Sequence, residues 1–331
     1  MTTATALHVI ALGNAIVDVI APAEDGFLHA QGLAKGTMTL IDDDRAHALY
    51  GAMSAGIEAS GGSAANTVAG VASLGGKAAY IGKVAPDQLG EVFAHDIRAI
   101  GARFATAPLE GGPATARCLI NVTSDGQRTM ATYLGAANRL GPDDVDEALI
   151  GDAAVVYLEG YLFDPPAARE AFVKAAGLAR AAGRKTALTL SDVFVVDRWR
   201  DDLLAFLPKI DMVFANEAEL KALYPGDDFE TALDRLASAV EIAAVTRSEH
   251  GSVVRRGDER HAVPAFPIGE LVDTTGAGDQ YAAGFLYGYA TGKPLDVCGR
   301  LGSLAAAEVI QHYGPRPQTP LVELAREAAL L

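Results

Sequence analysis

Cysteine is scarce in this chain: among 331 residues only Cys118 and Cys298 occur. Two thiols make neither a disulfide framework nor a zinc set. They suit a reducing compartment, so a cytoplasmic location is expected. The seven histidines show no H-E-x-x-H and no clustered spacing, so no structural metal is expected. Positive charge is also in deficit, with 27 Lys and Arg against 42 Asp and Glu and a net charge of −15. That argues against a general binder of nucleic acid or anionic membranes, although a local site can oppose the global field. No stretch offers the roughly 18 uninterrupted apolar residues of a membrane span. The start, Met1 to Ile20, lacks a basic n-region and is interrupted by Asp18, so Leu7 to Leu12 reads as a core strand and not a signal peptide. No G-x-x-x-x-G-K-[ST] loop occurs, and Gly276-x-Gly278 is not completed by a glycine at position 281, so both common phosphate motifs are missing. What the chain has is apolar bulk. Half its residues are hydrophobic and 21% are charged, which suits a large core and not a disordered chain. The length admits one large α/β unit or two domains.

The most constrained stretch is Asp273-Thr274-Thr275-Gly276-Ala277-Gly278-Asp279. Extended residues precede it, Phe266–Ile268 and Leu271–Val272, and small apolar residues with helical spacing run from Tyr281 to Tyr289. The Gly-Ala-Gly turn therefore sits where loop becomes helix. Without large side chains, its backbone N–H groups can approach a ligand closely. The first N–H groups of a helix lack internal partners and carry partial positive charge, which suits a phosphate. Asp279 lies in the first turn beside that anion site. A carboxylate there is awkward for phosphate binding alone and sensible as a base for a hydroxyl attacking the phosphate. A plain Gly-rich helix start with an early-turn acid is the alternative.

Along the chain, residues 8–12, 15–20, 37–41 and 78–84 read as strands, with helices from Arg45 to Ala55, after Ser63 and from Asp87 to Ile100. Gly62 leaves room for a ligand and Asn66 can donate and accept; a tight turn capped by Ser63 reads equally well. Segments 117–122 and 128–134 alternate around Ser124-Asp125-Gly126 and predict a hairpin. With 15–20 and 37–41 it would form a small separate sheet, a lid. From Asp152 strands (155–159, 186–190, 211–215, 242–246) alternate with helices, and a return strand follows at 251–255. This implies a mainly parallel sheet covered on both faces, with ligands beyond the strands' carboxyl ends. Asn216, Glu219, Thr246 and Asp279 fall there. Asn216-x-x-Glu219 also reads as a capping box. Asp18, amid apolar residues, reads as a solvent-facing strand position or as something with a task.

From Gly13 to Gly314 these stretches resemble the PfkB family of sugar and nucleoside kinases. The resemblance implies a ribokinase-like three-layer α/β/α fold, with a mainly parallel central sheet and a small β-sheet lid. It implies a single unit over 1–331, the large domain about 1–13, 43–100 and 136–331 and the lid about 14–42 and 101–135. It also implies ATP-dependent phosphorylation of a primary hydroxyl, with Asp279 as base and Gly276, Ala277 and Gly278 as the anion hole. Asp18, in its Gly-Asn-x-x-x-Asp context, would grip two sugar hydroxyls, with Asn14, Gly62, Ser63, Asn66, Tyr161 and Asp279 around the acceptor. ATP would meet Asn216, Thr246, Gly251, Gly276 and Gly278, and Glu219 would hold Mg²⁺ through water. Asp273, Thr275 and Gly314 would supply oxygens to K⁺, unless Asp273 merely caps its own turn. The length, the helix after Ile41 and the Gly13-Asn14 start look most like adenosine kinases. The expected acceptor is then the 5′-hydroxyl of adenosine, giving AMP, with Gly160–Phe163 as an apolar wall for the purine or as core. Ribose or a fructose-like sugar is the alternative, and a nucleotide-binding regulator without turnover the third reading. The expected partner is a small-molecule substrate, with no nucleic acid and no membrane, on a monomer or a homodimer formed through the lid.

Overall fold

The computed structural model describes residues 5–331. The first half of the chain contains β1 (Leu7–Leu12), β2 (Ile16–Pro22), α1 (Asp25–Ala30), β3 (Met38–Leu40), α2 (Asp43–Ala52), β4 (Ile57–Gly61), α3 (Ser63–Ser73), β5 (Ala78–Ile81), α4 (Gln88–Ala99), β6 (Arg103–Phe104), β7 (Ala116–Val122) and β8 (Arg128–Tyr133). The second half continues with α5 (Glu147–Asp152), β9 (Ala153–Glu159), α6 (Pro166–Ala181), β10 (Lys185–Thr189), α7 (Val193–Phe206), β11 (Met212–Asn216), α8 (Glu217–Leu223), α9 (Phe229–Ala239), β12 (Ile242–Thr246), β13 (Ser252–Arg256), β14 (Glu259–Val263), α10 (Ala277–Ala290), α11 (Leu295–Val309) and α12 (Leu321–Glu327).

Among the described residues the strands form two sheets. The larger has the order β14-β13-β12-β11-β10-β9-β1-β5-β6 and is parallel except where β13 and β14 turn back. Its central strands are apolar on both faces, so each feeds two cores. Ile10, Leu12, Val156, Leu158 and Leu188 pack against α5 to α9. Val9, Ala11, Val155, Tyr157 and Ala187 pack against α3, α4, α10 and α11. This is the expected three-layer arrangement, and burying each such Leu or Val contributes roughly 1.5–3 kcal/mol before the entropy cost of ordering it. Strand β1 lies between β5 and β9, so the chain departs from it in both directions. Such a switch point leaves a crevice at the carboxyl ends.

The smaller sheet has the order β3-β8-β7-β2-β4. Its β7–β8 hairpin is the one that the alternation predicts. Period-two alternation gives it two faces. Val19, Leu119 and Ala131 pack against Leu49 of α2 on one side. Asp18, Cys118, Ile120 and Met130 face a cavity on the other. Three segments depart from the expected division at residues 43 and 101. Helix α2 covers the small sheet, β4 pairs with β2 at its edge, and Arg103–Phe104 pairs with β5 in the large sheet. Residues 266–272 form no strand. Pro267 and Gly269 interrupt them, and Gly269 N–H instead donates to Gln311 Oε1 and Val272 N–H to the Ile310 carbonyl, both at 2.8 Å.

Candidate active site

The small sheet and the carboxyl ends of the large one enclose a cavity of about 500 Å³. Asn14, Asp18, Gly62, Ser63, Asn66, Tyr161, Asn216, Glu219, Thr246, Thr275, Gly276, Ala277, Gly278 and Asp279 all line it. Residues up to 265 apart in sequence thus meet at one place, where the topology leaves its crevice.

Gly276 is the N-cap of α10, in the left-handed region at φ 80°. A Cβ there would lie 2.6 Å from Pro315, so both backbone and space require glycine. Ala277 begins the helix, and the open space around Gly278 leaves its backbone reachable. Ala277 N–H donates back to the Thr274 carbonyl at 3.2 Å, and the other N–H groups of this first turn form a cradle for an anion. Asp279, half-buried beside it, accepts from Ser63 Oγ at 2.5 Å and from Asn66 Nδ2 at 3.0 Å. Burial pushes its carboxyl up to about 6, against the pull of those two hydrogen bonds. At neutral pH it is ionised and still basic enough to take a proton. Ser63 does not cap α3: the N-cap is Gly62, at φ 90°, which frees the Ser63 hydroxyl for Asp279.

Asp18 faces the cavity from β2, not the solvent. Burial pushes its carboxyl up to about 6, while Arg316 and then Arg128 draw it down and Asp279 adds to the rise. Asn14 is 2% exposed, and Glu159 at the end of β9 fixes it by accepting from its backbone N–H at 3.3 Å and its Nδ2 at 2.8 Å. That leaves Asn14 Oδ1 buried with no protein partner, an acceptor on the cavity wall. Tyr161 N–H donates to Ser191 Oγ at 3.2 Å, and its ring packs on Phe194. Of the expected apolar wall, Leu162 and Phe163 are core. Ile16, Met38, Leu40, Ile120, Met130, Leu134 and Phe194 supply the wall instead.

After β11, Asn216 and Glu219 do form a capping box. Asn216 Oδ1 accepts from Glu219 N–H at 2.8 Å, and Glu219 accepts from Asn216 N–H at 3.0 Å and Nδ2 at 2.6 Å. Both still face the cavity. Among the described residues no cluster of three or more His, Cys, Asp or Glu is built to hold a metal. The donors fit a metal that arrives on a nucleotide and meets Glu219 through water. Gly251 lies outside the cavity wall and turns the chain at φ 79°, packed against the Val263 carbonyl. Asp273, Thr275 and Gly314 do come together, but the Asp273 carboxylate is engaged. Oδ1 accepts from Thr275 N–H and Oγ1, and Oδ2 accepts from Gly314 N–H at 3.1 Å and pairs with Arg128 at 2.7 Å.

Glu159, Arg128 and Arg316 shape this site and went unmarked in the sequence. Glu159 and Arg316 act on residues remote in the chain, and no local motif announces either.

The description "pfkB family carbohydrate kinase" matches residues 42–321. Adenosine kinase of Saccharomyces cerevisiae is 27% identical over 328 residues, 92% of this chain and 95% of that protein. Two crystal structures are similar throughout. The probable sugar kinase from Rhizobium etli CFN 42 is 54% identical with a TM-score of 0.92, covering 99% of this chain and 100% of that one. The adenosine kinase from Sinorhizobium meliloti is 55% identical with a TM-score of 0.90, covering 97% and 99%.

Proposed function

The chain belongs to the pfkB family of carbohydrate kinases, phosphotransferases acting on hydroxyl groups, and from that premise we propose that it transfers the γ-phosphoryl group of ATP to the 5′-hydroxyl of adenosine, forming AMP as the bond to ADP breaks and ADP leaves. The observation that carries the acceptor is the cavity's division. Asp18, Asn14 and Asp279 offer hydrogen-bonding groups to the cavity, while the small sheet contributes an apolar wall of Ile16, Leu40, Ile120 and Leu134. A ribose suits the first and a flat heteroaromatic base the second. A free sugar would leave the apolar wall without a partner. The likeness to the Sinorhizobium meliloti adenosine kinase supports the same reading.

In this mechanism Asp18 accepts two ribose hydroxyls, which sets the 5′-hydroxyl near Asp279. Asp279 takes its proton as it attacks the γ-phosphorus, worth about 10²–10⁴-fold in rate. Ser63 and Asn66 hold the carboxylate in place for that transfer. The N–H groups of Gly276 to Gly278 meet the charge on the transferring phosphoryl oxygens. Glu219, through water, would hold magnesium brought in with ATP, where the ion would neutralise phosphate charge. The lid excludes water, a competing acceptor.

A kinase assay with adenosine, inosine, ribose and fructose tests this. The expected result is AMP formation with kcat/KM for adenosine well above the sugars. A preference for ribose or fructose would overturn the nucleoside and leave a sugar kinase, the activity in the name of the Rhizobium etli protein.

A further inference from the structure

Arg316 follows the Tyr313-Gly314-Pro315 turn and has no part in the mechanism above. Its guanidinium joins three segments. Nη1 donates to Ser60 Oγ on β4 at 2.7 Å. Nε donates to Asn66 Oδ1 on α3 at 3.3 Å. Nη2 is buried without a hydrogen-bond partner. Gln280 secures the same place from α10, donating through Nε2 to the carbonyls of Asn66 and Pro315, both at 2.9 Å. Burial opposes the charge on Arg316, and among its neighbours Asp18 does most to offset that.

The Asn66 amide has one accepting end and one donating end. A guanidinium only donates, so the amide oxygen must face Arg316. The Nδ2 end is then directed at Asp279 Oδ2, 3.0 Å away. Turned over, the amide would set its oxygen against a carboxylate and its N–H groups against a cation, both repulsive.

We propose that Arg316 is a positioning residue that serves both carboxylates: it fixes the Asn66 amide so that its N–H groups hold Asp279, and its bond to Ser60 sets a permanent positive charge next to Gly61, which lies against the Asp18 carboxyl. The proposal rests on the roles given above to Asp279 as base and Asp18 as anchor of the acceptor. It predicts a division of labour. Orientation of Asn66 needs the planar fork of arginine, whereas the charge beside Asp18 needs only a cation.

The test compares Arg316→Met, Arg316→Lys, Asn66→Ala and the Arg316→Met/Asn66→Ala double variant, each first shown to melt cooperatively. Arg316→Met should lower kcat and raise acceptor KM, each roughly tenfold, the size of coupling within one hydrogen-bonded network. Arg316→Lys should restore KM but not kcat. In the Asn66→Ala background, Arg316→Met should lower kcat no further. A crystal structure of Arg316→Met should show Asn66 beyond hydrogen-bond reach of Asp279. Wild-type constants in the Met variant, additive losses in kcat, or an undisturbed Asn66–Asp279 contact would each overturn the proposal. The wild type is assayed alongside on the acceptor panel. If it phosphorylates nothing, the kinase reading falls, while the Asn66 geometry in the variant crystal still decides the role of Arg316.

Discussion

Asp279 carries opposing demands in one side chain. As the proposed base it must be ionised to accept a proton and must not be so stabilised that it will not. Two hydrogen bonds favour the anion, burial disfavours it, and burial wins, raising the carboxyl to about 6. Asp279→Asn keeps the shape and removes the base, so turnover should fall about 10²–10⁴-fold with ATP affinity nearly unchanged. Single-turnover kinetics with a nucleotide-binding titration checks both halves, and near-normal turnover would remove the assignment. Asp18 is also raised to about 6, and as the proposed anchor of the acceptor's hydroxyls it too must be ionised. With two required carboxylates titrating together, log kcat/KM for the acceptor should fall below pH 6 with a slope approaching two. In Asp18→Asn the slope should drop to one, with a loss of roughly 1.5–3 kcal/mol in acceptor binding. A pH profile of unchanged steepness would place Asp18 outside the reaction. Both carboxylates were legible in the sequence, because each stands in a short local motif with an acid where apolar packing alone would not put one. Glu159 and Arg316 were not legible. Their partners lie 145 and 250 residues away, and a glutamate closing a strand or an arginine after a turn carries no local sign of burial.

At the level of elements, the long apolar strands and their helices were readable because a parallel sheet buried on both faces leaves continuous apolar runs. Strand β4, Ile57-Glu58-Ala59-Ser60-Gly61, was not readable. It is short and mixed, and its pairing with β2 makes it a strand. The 264–276 loop reads as extended and joins no ladder, since prolines and a glycine interrupt its apolar residues. The same loop carries the proposed cation site. Every oxygen of Asp273 already meets a donor, and Arg128 reaches it from the lid hairpin. A guanidinium there supplies the charge that a bound K⁺ would supply. Turnover at fixed ionic strength should therefore be equal in potassium and in tetramethylammonium, which is too large to enter such a site. A marked gain in potassium would restore the cation and require Asp273 to release Arg128.

Over the whole molecule, one buried carboxylate ties the layers together. Glu159 ends β9, accepts from Asn14 at the β1–β2 junction and accepts from Ala64 N–H at the start of α3. It is 1% exposed, and burial pushes it up to about 7 although three hydrogen bonds favour its anion. The consequence for stability follows from proton counting. Between about pH 4.5 and 7 the folded chain holds a proton on Glu159 that the unfolded chain has released. Stability then falls as pH rises through that window. The contribution is complete below the unfolded value and gone once pH passes the folded one. The melting temperature of the ligand-free protein should thus decline from pH 5 to pH 7.5. Glu159→Gln removes the titration while keeping an acceptor for Asn14. Its melting temperature should be lower overall, because the second oxygen becomes an NH2 group facing the Ala64 N–H, but its decline across the window should be shallower. Calorimetry at half-unit pH intervals reads both slopes. Equal slopes in the two proteins would mean that Glu159 is ionised throughout, and that the three donors outweigh burial.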